Sequence, residues 1–289
     1  MRVKRAVILA AGFGTRMLPA SKAIPKEILP VVDTPAIQLV VEEVVKSGIH
    51  DIVFVISPGR GTVLNHFASV PELEEHLSTK GRTDLLEVVR YSSNLAHITT
   101  VEQREPRGLG HAVLQARAAV SGEPFAVLLP DDIFAGSRPC LRQLLDVAEE
   151  RDAPVVALLK VARSELSKYG IVAGEDTGER LWRLHGMVEK PAPDKAPSDM
   201  AIMGRYVLPA EIFALLEHAR PGVGGEIQLT DALMGLSQRR PLYGYQVEGT
   251  RYDLGDRLGF IQAQIGYGLQ RPDLADKLRA YLESLVGSR

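Results

Sequence analysis

The first residues that could do chemistry are cations that follow a glycine-rich turn near the start of the chain. Residues 6–30 read AVILAAGFGTRMLPASKAIPKEILP. Two glycines there are followed by three cationic side chains: Gly12, Gly14, Arg16, Lys22 and Lys26. Glycines after a buried strand let the backbone turn tightly and present N–H groups to a ligand, and the clustered cations favour a polyphosphate. A plain strand-to-helix turn with solvated charges is the alternative.

Two familiar nucleotide-binding motifs do not fit this turn. Position 17 is Met17, where a dinucleotide-binding fingerprint needs a third glycine, and no Gly-Lys-Ser/Thr sequence follows as in a P-loop. A phosphate site here must therefore be of another type.

Carboxylates follow two later segments that resemble strands. AVLLPDD ends in Asp131 and Asp132, and GTRYDLGD contains Asp253. Ligands of open α/β sheets bind at the carboxyl ends of strands, and Mg²⁺ prefers one or two carboxylates together with phosphate oxygens. These residues are candidate metal ligands. Alternatively, each carboxylate caps a turn, Asp131 and Asp132 after Pro130 and Asp253 before Gly255.

A third polar pair, Glu189 and Lys190, ends another strand-like stretch, MVEKP. Adjacent side chains diverge at a strand end, so these two need not pair, and one could contact sugar hydroxyls while the other contacts a phosphate. Taken alone, such a pair is typical of a solvated surface. The chain contains neither G-x-S-x-G nor HExxH, and His111 is interpreted as structural. No covalent catalysis is predicted.

Composition limits the partners of these residues. The 289-residue chain is 45% hydrophobic and has 34 Lys+Arg against 36 Asp+Glu, a formal net charge of -2. This supplies a core but no global field for nucleic acid or an acidic membrane. The single cysteine, Cys140, excludes an intrachain disulfide framework and zinc-type cysteine clusters. No apolar run approaches ~20 residues. We expect small-molecule substrates, no nucleic acid or membrane partner, and a cytoplasmic location.

The elements that must position these residues alternate between strand and helix in the first half of the chain. RAVILAA and DIVFVIS are continuous apolar runs, typical of strands buried on both faces. TPAIQLVVEEVVKSG between them predicts a helix with Thr34 as N-cap, Pro35 at the first helical position and Gly48 at its end. The second half is more mixed, and the charged segment 72–91 is predicted to lie on the surface or to cover a partner subunit. The predicted fold is α/β, a Rossmann-like doubly wound sheet that is mixed but mostly parallel.

Eight stretches, in order along the chain, resemble the bacterial sugar-phosphate nucleotidyltransferases: LAAGFGTRMLPASKAIPKEILP, EQREPRGLGHAV, LLPDD, KYGIV, MVEKP, MGRYVL, GGEIQLTDA and YDLGD. The resemblance runs from about Arg5 to about Gly268. ASKAIPKE, GLGHAV and GGEIQLTDA are typical of its uridylyl branch. The resemblance implies a nucleotide-diphospho-sugar transferase fold and a Mg²⁺-assisted, in-line attack of glucose 1-phosphate on the α-phosphate of UTP. The products would be UDP-glucose and pyrophosphate.

The resemblance also implies roles for thirteen positions. The nucleotide would be bound at Ala11, Gly12, Gly14, Gln103 and Gly108, with Gln103 reading the uracil. The other positions divide among catalytic phosphate contacts, the glucosyl pocket and the metal: Arg16, Lys26 and Lys190; Gly170, Glu189 and Gly204; and Asp131 and Asp253, respectively. Asp132 is given a supporting role at most.

We expect one domain over residues 1–289. Residues 1–160 would mainly bind nucleotide, 161–268 would mainly bind sugar phosphate, and 269–289 would form a C-terminal helix. Relatives of this kind are commonly dimeric or tetrameric, so we expect a homodimer or homotetramer, with segment 72–91 as a candidate contact. Two alternatives stay open: the same chemistry on another nucleotide or sugar phosphate, such as dTTP, galactose 1-phosphate or an N-acetylhexosamine 1-phosphate, and a non-catalytic homologue that binds nucleotide sugars.

Overall fold

The computed structural model of the chain describes residues 1–59 and 61–287, so Ser288 and Arg289 of the predicted C-terminal segment lie outside the described residues. The strands are β1 Arg5–Ala10, β2 Pro30–Val31, β3 Thr34–Pro35, β4 Asp51–Ile56, β5 His97–Glu102, β6 Phe125–Leu128, β7 Asp132–Ala135, β8 Val155–Lys160, β9 Gly170–Asp176, β10 Leu181–Glu189, β11 Met200–Leu208, β12 Leu242–Gln246 and β13 Thr250–Asp253. The α-helices are α1 Ala36–Lys46, α2 Thr62–Asn65, α3 Pro71–Thr79, α4 Thr83–Ser93, α5 Leu109–Gln115, α6 Arg117–Val120, α7 Cys140–Arg151, α8 Ile212–Glu217, α9 Leu229–Ser237, α10 Arg257–Gly268 and α11 Ala275–Gly287.

A nine-stranded sheet forms the centre of the molecule, in the order β5-β4-β1-β6-β11-β8-β12-β10-β9. The first four strands are parallel, as the strand–helix alternation predicts. Strand β11 runs antiparallel to both of its neighbours, β6 and β8, and β10 runs antiparallel to β12 and β9. Because β8 and β12 are parallel to each other, seven of these nine strands point the same way. The prediction of a mixed, mostly parallel sheet is confirmed.

Strand β1 shows why the sheet is covered on both faces. Ala6, Ile8 and Ala10 join one buried cluster together with α1 and α7, while Val7 and Leu9 join a second cluster with α5, α8 and α9. Successive side chains of a strand point to opposite faces. Burial of a large aliphatic side chain contributes about 1.5–3 kcal/mol, so an unbroken apolar run is stable only between two such layers.

The start of the first helix differs from its prediction. Thr34 is not the N-cap: with Pro35 it forms β3, which pairs with β2, and the helix begins at Ala36 without a side-chain cap. The amide of Ala36 donates instead to the carbonyl of Leu29 at 3.2 Å. The Leu29 carbonyl thus accepts a hydrogen bond from the first turn of α1, where a Thr34 side-chain cap was predicted. Gly48 follows the helix with a left-handed φ of +90°, as predicted.

The charged segment 72–91 lies on the surface, as predicted. It forms α3 and α4, which are joined by an ion pair between Arg90 Nε and Glu74 Oε2 at 2.8 Å. Leu73, Val88 and Tyr91 are exposed on these helices. Across the described ranges, no helix is both long and apolar enough to cross a membrane.

Candidate active site

Two cavities adjoin at the edge of the sheet where β1, β5 and β6 end. The glycine-loop cavity has a volume of about 370 Å³, and the carboxylate cavity has a volume of about 200 Å³. Leu109, Leu129 and Asp131 line both. The predicted residues of the glycine-loop cavity are Ala11, Gly12, Gly14, Lys26, Gln103, Gly108 and Asp131. Those of the carboxylate cavity are Arg16, Asp131, Gly170, Glu189, Lys190, Gly204 and Asp253.

All thirteen predicted positions therefore line one connected site. A larger cavity of about 490 Å³, between α7 and the β9–β10 hairpin, contains none of them. Two of its arginines pair with nearby carboxylates: Arg138 with Asp146, and Arg151 Nη2 with Glu150 Oε1 at 3.2 Å. The predicted residues thus identify the smaller, composite cavity as the candidate site.

The glycine loop begins one residue after β1. Gly14 has a left-handed φ of +68°, and its carbonyl accepts hydrogen bonds from the Ser21 hydroxyl at 2.7 Å and the Met17 amide at 2.9 Å. A Cβ at Gly14 would lie 3.2 Å from the Ser21 side chain, whereas a Cβ at Gly12 would meet open space. The left-handed backbone and the nearby Ser21 side chain therefore favour glycine at position 14. Glycine at position 12 instead leaves room beside the cavity.

Lys26 and Asp131 form a close ion pair where the two cavities meet. Lys26 Nζ lies 2.5 Å from Asp131 Oδ2, and Arg16 Nη2 lies 3.9 Å from the same oxygen. Burial opposes the charged form of both partners, yet their mutual attraction raises the pKa of Lys26 and lowers that of Asp131 from their usual values. Both groups are therefore charged near neutral pH. The Arg16 side chain is 65% exposed and stands at the cavity mouth.

Asp131 and Asp253 are tied together by the backbone. The amide of Leu254 donates to the carbonyl of Asp131 at 2.7 Å, and Asp253 Oδ1 accepts from the Gly255 amide at 2.8 Å. The Asx-type turn considered for Asp253 is thus present, and its carboxylate still lines the carboxylate cavity. Within residues 1–59 and 61–287, no group of three or more His, Cys, Asp or Glu side chains could hold a metal ion. Two carboxylates are nevertheless enough for Mg²⁺ when substrate phosphates complete its coordination, so the donor set fits that ion.

Asp132 is buried and is held from two sides. Arg251 Nε donates to Asp132 Oδ1 at 2.6 Å, and the Gly204 amide donates to Oδ2 at 3.2 Å. Burial raises the pKa of Asp132 above its usual value, although Arg251 opposes the shift. A Cβ at Gly204 would lie only 2.6 Å from Asp132 Oδ2, so this wall needs a glycine. Arg251 also donates to the Tyr169 hydroxyl at 3.1 Å.

Glu189 and Lys190 pair with each other, although adjacent side chains at a strand end need not do so. Their Oε1 and Nζ atoms are 3.4 Å apart. Lys190 adopts a left-handed φ of +46°, which turns the chain at the end of β10. Thr230 Oγ1 donates to Glu189 Oε2 at 2.6 Å, and a Cβ at Gly170 would lie 3.2 Å from both of these oxygens. Glu189 is therefore held in place beside a wall that is open only because position 170 is glycine.

Gln103 follows β5 and is almost fully buried. Its Nε2 donates to the Gly108 carbonyl at 3.3 Å and lies 3.0 Å from His111 Nδ1. Burial, reinforced by Arg107, lowers the pKa of His111. Gly108 has a φ of +102°, and a Cβ there would lie 2.8 Å from the Ile227 carbonyl. The structural interpretation of His111 is consistent with its place beside Gln103, outside the residues lining the cavity.

Several residues at the site were missed by the sequence reasoning. Arg251, Tyr169 and Thr230 line the carboxylate cavity. Tyr169 and Thr230 lie in KYGIV and GGEIQLTDA, two stretches that the family resemblance uses, and Arg251 directly precedes a third, YDLGD. Their positions in or beside these motifs could have indicated them, but their residue types alone did not suggest a role in the site. Their importance comes from partners that are distant in sequence, such as Asp132 for Arg251.

Comparison with known proteins places this arrangement in a family. Residues 5–268 match the sequence profile described as "Nucleotidyl transferase". The chain belongs to the nucleotidyl transferase family, as its motifs imply.

Relatives with specific names cover nearly the whole chain. It is 46% identical over 285 residues to a UTP--glucose-1-phosphate uridylyltransferase of Bacillus subtilis (strain 168), covering 99% of this chain and 98% of the relative. It is 45% identical over 284 residues to a protein of the same name from Staphylococcus epidermidis (strain ATCC 12228 / FDA PCI 1200), covering 98% and 99%.

Solved structures agree with these relatives. A UDP-glucose pyrophosphorylase complexed with UDP-glucose superposes with a TM-score of 0.85 at 37% identity, covering 93% of this chain and 100% of that chain. A UTP-bound UGPase from Acinetobacter baumannii gives a TM-score of 0.89 at 37% identity, covering 97% and 99%. The predicted family resemblance and fold class are confirmed.

Proposed function

We propose that this chain transfers the uridylyl group of UTP to glucose 1-phosphate and releases pyrophosphate. The observation that carries this proposal is the junction of two unlike cavities at Asp131, one bordered by a glycine loop and the other by charged side chains. Two substrates that occupy such cavities would place their reacting phosphates beside the shared wall. The names of relatives at 45–46% identity supply the substrate identities.

UTP is assigned to the glycine-loop cavity. Ala11, Gly12 and Gly14 would offer backbone N–H groups and space, and Gln103 would hydrogen-bond the uracil edge with Gly108 beside it. Support comes from the burial of Gln103 and its contact with the Gly108 carbonyl, which fix the direction of its amide. An amide can both donate and accept, as the uracil edge requires.

The sugar phosphate is assigned to the carboxylate cavity. Glu189, held by Thr230, would accept hydrogen bonds from glucosyl hydroxyls, while Gly170 and Gly204 keep the adjacent walls open. Lys190, 44% exposed at the cavity rim, would bind the phosphate. When the substrate binds, its phosphate would take the place of the Glu189 carboxylate beside the Lys190 ammonium. Lys190 would therefore have an anionic partner in both states.

The reaction needs no nucleophile from the protein. A phosphate oxygen of glucose 1-phosphate attacks the α-phosphorus of UTP, and a new P–O bond forms as the bond from that phosphorus to the β-phosphate bridge oxygen breaks. The electron pair of the broken bond leaves with pyrophosphate. The attacking phosphate is already ionised near neutral pH, so no general base is required. The work of the protein is to hold two polyanions in line.

The cations of the site would stabilise the charge that develops on the leaving group. Lys26 lies beside Asp131 at the junction, and Arg16 reaches the same carboxylate from the mouth. Such preorganised donors are worth roughly 10²–10³ in rate each. Arg16, Lys26 and Lys190 are thus proposed as the catalytic residues.

Asp131 and Asp253 are proposed to hold Mg²⁺. When bound, this ion would neutralise phosphate charge and polarise the reacting phosphorus. The protein contributes two carboxylates and a backbone link that keeps them together.

A coupled pyrophosphate-release assay tests the proposal. The protein with UTP, glucose 1-phosphate and Mg²⁺ should release pyrophosphate in proportion to UDP-glucose formed, measured by chromatography. Omission of any one component should remove the signal. Absence of both products from folded, UTP-binding protein would reject uridylyl transfer and favour the non-catalytic alternative.

Substrate replacement separates the remaining alternatives. dTTP in place of UTP, and galactose 1-phosphate or N-acetylglucosamine 1-phosphate in place of glucose 1-phosphate, should give kcat/KM values at least about tenfold lower, a difference of ~1.4 kcal/mol. A higher kcat/KM for any of these would assign the chain to that substrate instead.

We also infer that the chain forms a homodimer or homotetramer in the cytoplasm. The exposed apolar residues of α3 and α4 support an intersubunit contact, and the buried thiol of Cys140 is compatible with a reducing compartment. Sedimentation at micromolar concentration tests the oligomer. A monomeric protein at that concentration would contradict it.

A further inference from the structure

Arg205 on β11 is a fully buried charged side chain that lines neither cavity. An arginine has five N–H donors in a fixed fork, and every one has a partner here. Nε and Nη2 donate to the two carboxylate oxygens of Glu43, at 3.0 and 2.8 Å. Nη1 donates to the carbonyls of Leu129 at 3.0 Å and Gly204 at 2.9 Å, and Nη2 also donates to the carbonyl of Asp132 at 2.7 Å.

Two of these three carbonyls belong to the chain segment that contains Asp131. Leu129 and Asp132 lie on either side of Asp131 in the chain, and the Gly204 carbonyl also accepts the Leu129 amide at 2.9 Å. We call residues 129–132 the junction segment, because Leu129 and Asp131 line both cavities. Arg205 thus fixes the backbone of the junction segment at two points, without touching the Asp131 carboxylate.

Glu43 orients Arg205 from the opposite side. It lies on α1, and its Oε1 also accepts a hydrogen bond from the Leu141 amide near the start of α7, at 2.9 Å. Burial opposes the charge of Arg205, but the Glu43 carboxylate raises the pKa of Arg205 above its usual value. The guanidinium is therefore charged at all physiological pH values and is held between two helices and the junction segment.

Stability alone does not explain this pair. A buried ion pair is often replaced by apolar residues of similar volume without loss of stability. An apolar side chain cannot, however, hold three carbonyls, and a lysine carries its donors on a single atom. The arrangement uses the one property of arginine that neither replacement reproduces.

We propose that Arg205, oriented by Glu43, is a positioning residue that fixes the junction segment so that the Asp131 carboxylate serves both cavities. The kinetic part of this inference rests on the proposed uridylyl transfer. Its structural part concerns the order of the junction segment and can be measured without substrate.

The kinetic test compares Arg205→Lys and Glu43→Gln with the control Val44→Ala. Val44 is fully buried on the same helix as Glu43, but it belongs to the apolar cluster. Its side chain has no polar atom that could bind the guanidinium. We expect Arg205→Lys to lower kcat by about 10- to 100-fold, since small displacements of reacting groups have effects of that size. KM for UTP and glucose 1-phosphate should change less than about threefold. Glu43→Gln should lower kcat less, because the amide keeps one acceptor oxygen.

Hydrogen exchange of backbone amides provides the substrate-free test. Mass spectrometry of the peptide that contains the junction segment should show about tenfold faster exchange in Arg205→Lys than in the wild type, since exchange reports local opening. Val44→Ala should leave the exchange rate of this peptide unchanged, even if it lowers the melting temperature of the protein as much as Arg205→Lys does. If Arg205→Lys does not fold, Glu43→Gln takes its place in both comparisons.

The outcomes separate this inference from the proposed function. Unchanged exchange in the junction peptide overturns the positioning role, as does a kcat loss in Val44→Ala equal to that of the Arg205 or Glu43 variant at matched stability. A wild-type protein that forms no UDP-glucose rejects the proposed function, while the exchange measurement still decides the role of Arg205.

Discussion

The glycine-loop cavity has three glycines and two alanines in its lining, whereas the carboxylate cavity contains charged side chains that hold one another in place. In the first, Gly12 leaves open space and Gly108 packs directly against the Ile227 carbonyl. In the second, Asp132 is held by Arg251, and Glu189 is held by Thr230 and Lys190.

This difference follows from the strands that build each cavity. The ends of parallel strands β1, β5 and β6 lie beside the glycine-loop cavity, where the glycine loop would offer backbone N–H groups to a ligand. The carboxylate cavity takes residues from β9, β10 and β11, which pair antiparallel, and its polar groups are side chains that need partners. Substitution of Gly108 in the first cavity should therefore affect UTP, and loss of a charged side chain from the second should affect the sugar phosphate.

Asp131 belongs to both cavities, so its substitution should have the largest effect. Asp131→Asn should lower the rate of pyrophosphate release about 10³-fold, because both the proposed metal ligand and the partner of Lys26 are lost. The coupled assay measures this rate, and circular dichroism should show an intact fold. Wild-type turnover in Asp131→Asn would remove the metal role from this residue.

Removal of a charged side chain that lines only the carboxylate cavity should have the second largest effect on activity. Lys190→Ala should lower kcat/KM for glucose 1-phosphate about 10²-fold, with KM for UTP almost unchanged, since only the sugar-phosphate contact is lost. Lys195→Ala is the matched control, as Lys195 is exposed nearby and lines neither cavity. Equal kinetics for the Lys190 variant and the wild type would contradict the assigned role.

Added atoms in the glycine-loop cavity should weaken the binding of UTP and not that of glucose 1-phosphate. Gly108→Ala should raise KM for UTP about tenfold, or ~1.4 kcal/mol, and leave KM for glucose 1-phosphate nearly unchanged. A Cβ there would meet Ile227 and Glu226 at a φ of +102°. Gly122→Ala controls for backbone strain, because Gly122 has a φ of +79° and nothing within 4 Å of its added Cβ. If Gly108→Ala raised KM for glucose 1-phosphate instead, the two cavities would have been assigned in reverse.

The smallest effect concerns the pH dependence of stability at the junction. In the wild type, Lys26 lowers the pKa of Asp131 below its usual 3.8, so this stabilising contribution is present above that pH and is lost as pH falls through the folded-state pKa. In Lys26→Met, burial without the lysine should raise the pKa of Asp131, so the folded state gains a proton and stability rises as pH falls. The destabilisation by Lys26→Met should therefore shrink between pH 7 and pH 4.

Urea unfolding at both pH values measures this change. Lys22→Met is the control, because Lys22 is an exposed lysine of the same loop. A Lys26→Met destabilisation that stayed constant with pH would show that the ion pair does not control the ionisation of Asp131.

The amino-acid sequence by itself determined the layers of the fold and indicated many residues that line the site, but not Arg251, Tyr169 or Thr230. Unbroken apolar runs such as β1 are stable only between two layers of helices, so the α/β class followed from local pattern. The motifs then brought thirteen residues to one connected cavity, although their chemical roles stay predictions. The N-cap at Thr34 was wrong because Thr34 pairs with Val31 between β3 and β2, and the Leu29 carbonyl accepts the amide of Ala36 instead.

Only the tertiary structure decided which charged side chains pair with each other and which backbone carbonyls they bind. Arg205 lies 162 residues from Glu43 and 76 from Leu129 in the chain, and Arg251 lies 119 residues from Asp132. No periodicity or spacing encodes such pairs, because hydrogen bonds depend on distance and angle in space. The sequence supplied the ionisable groups, and the folded sheet made Asp131 the wall that two cavities share.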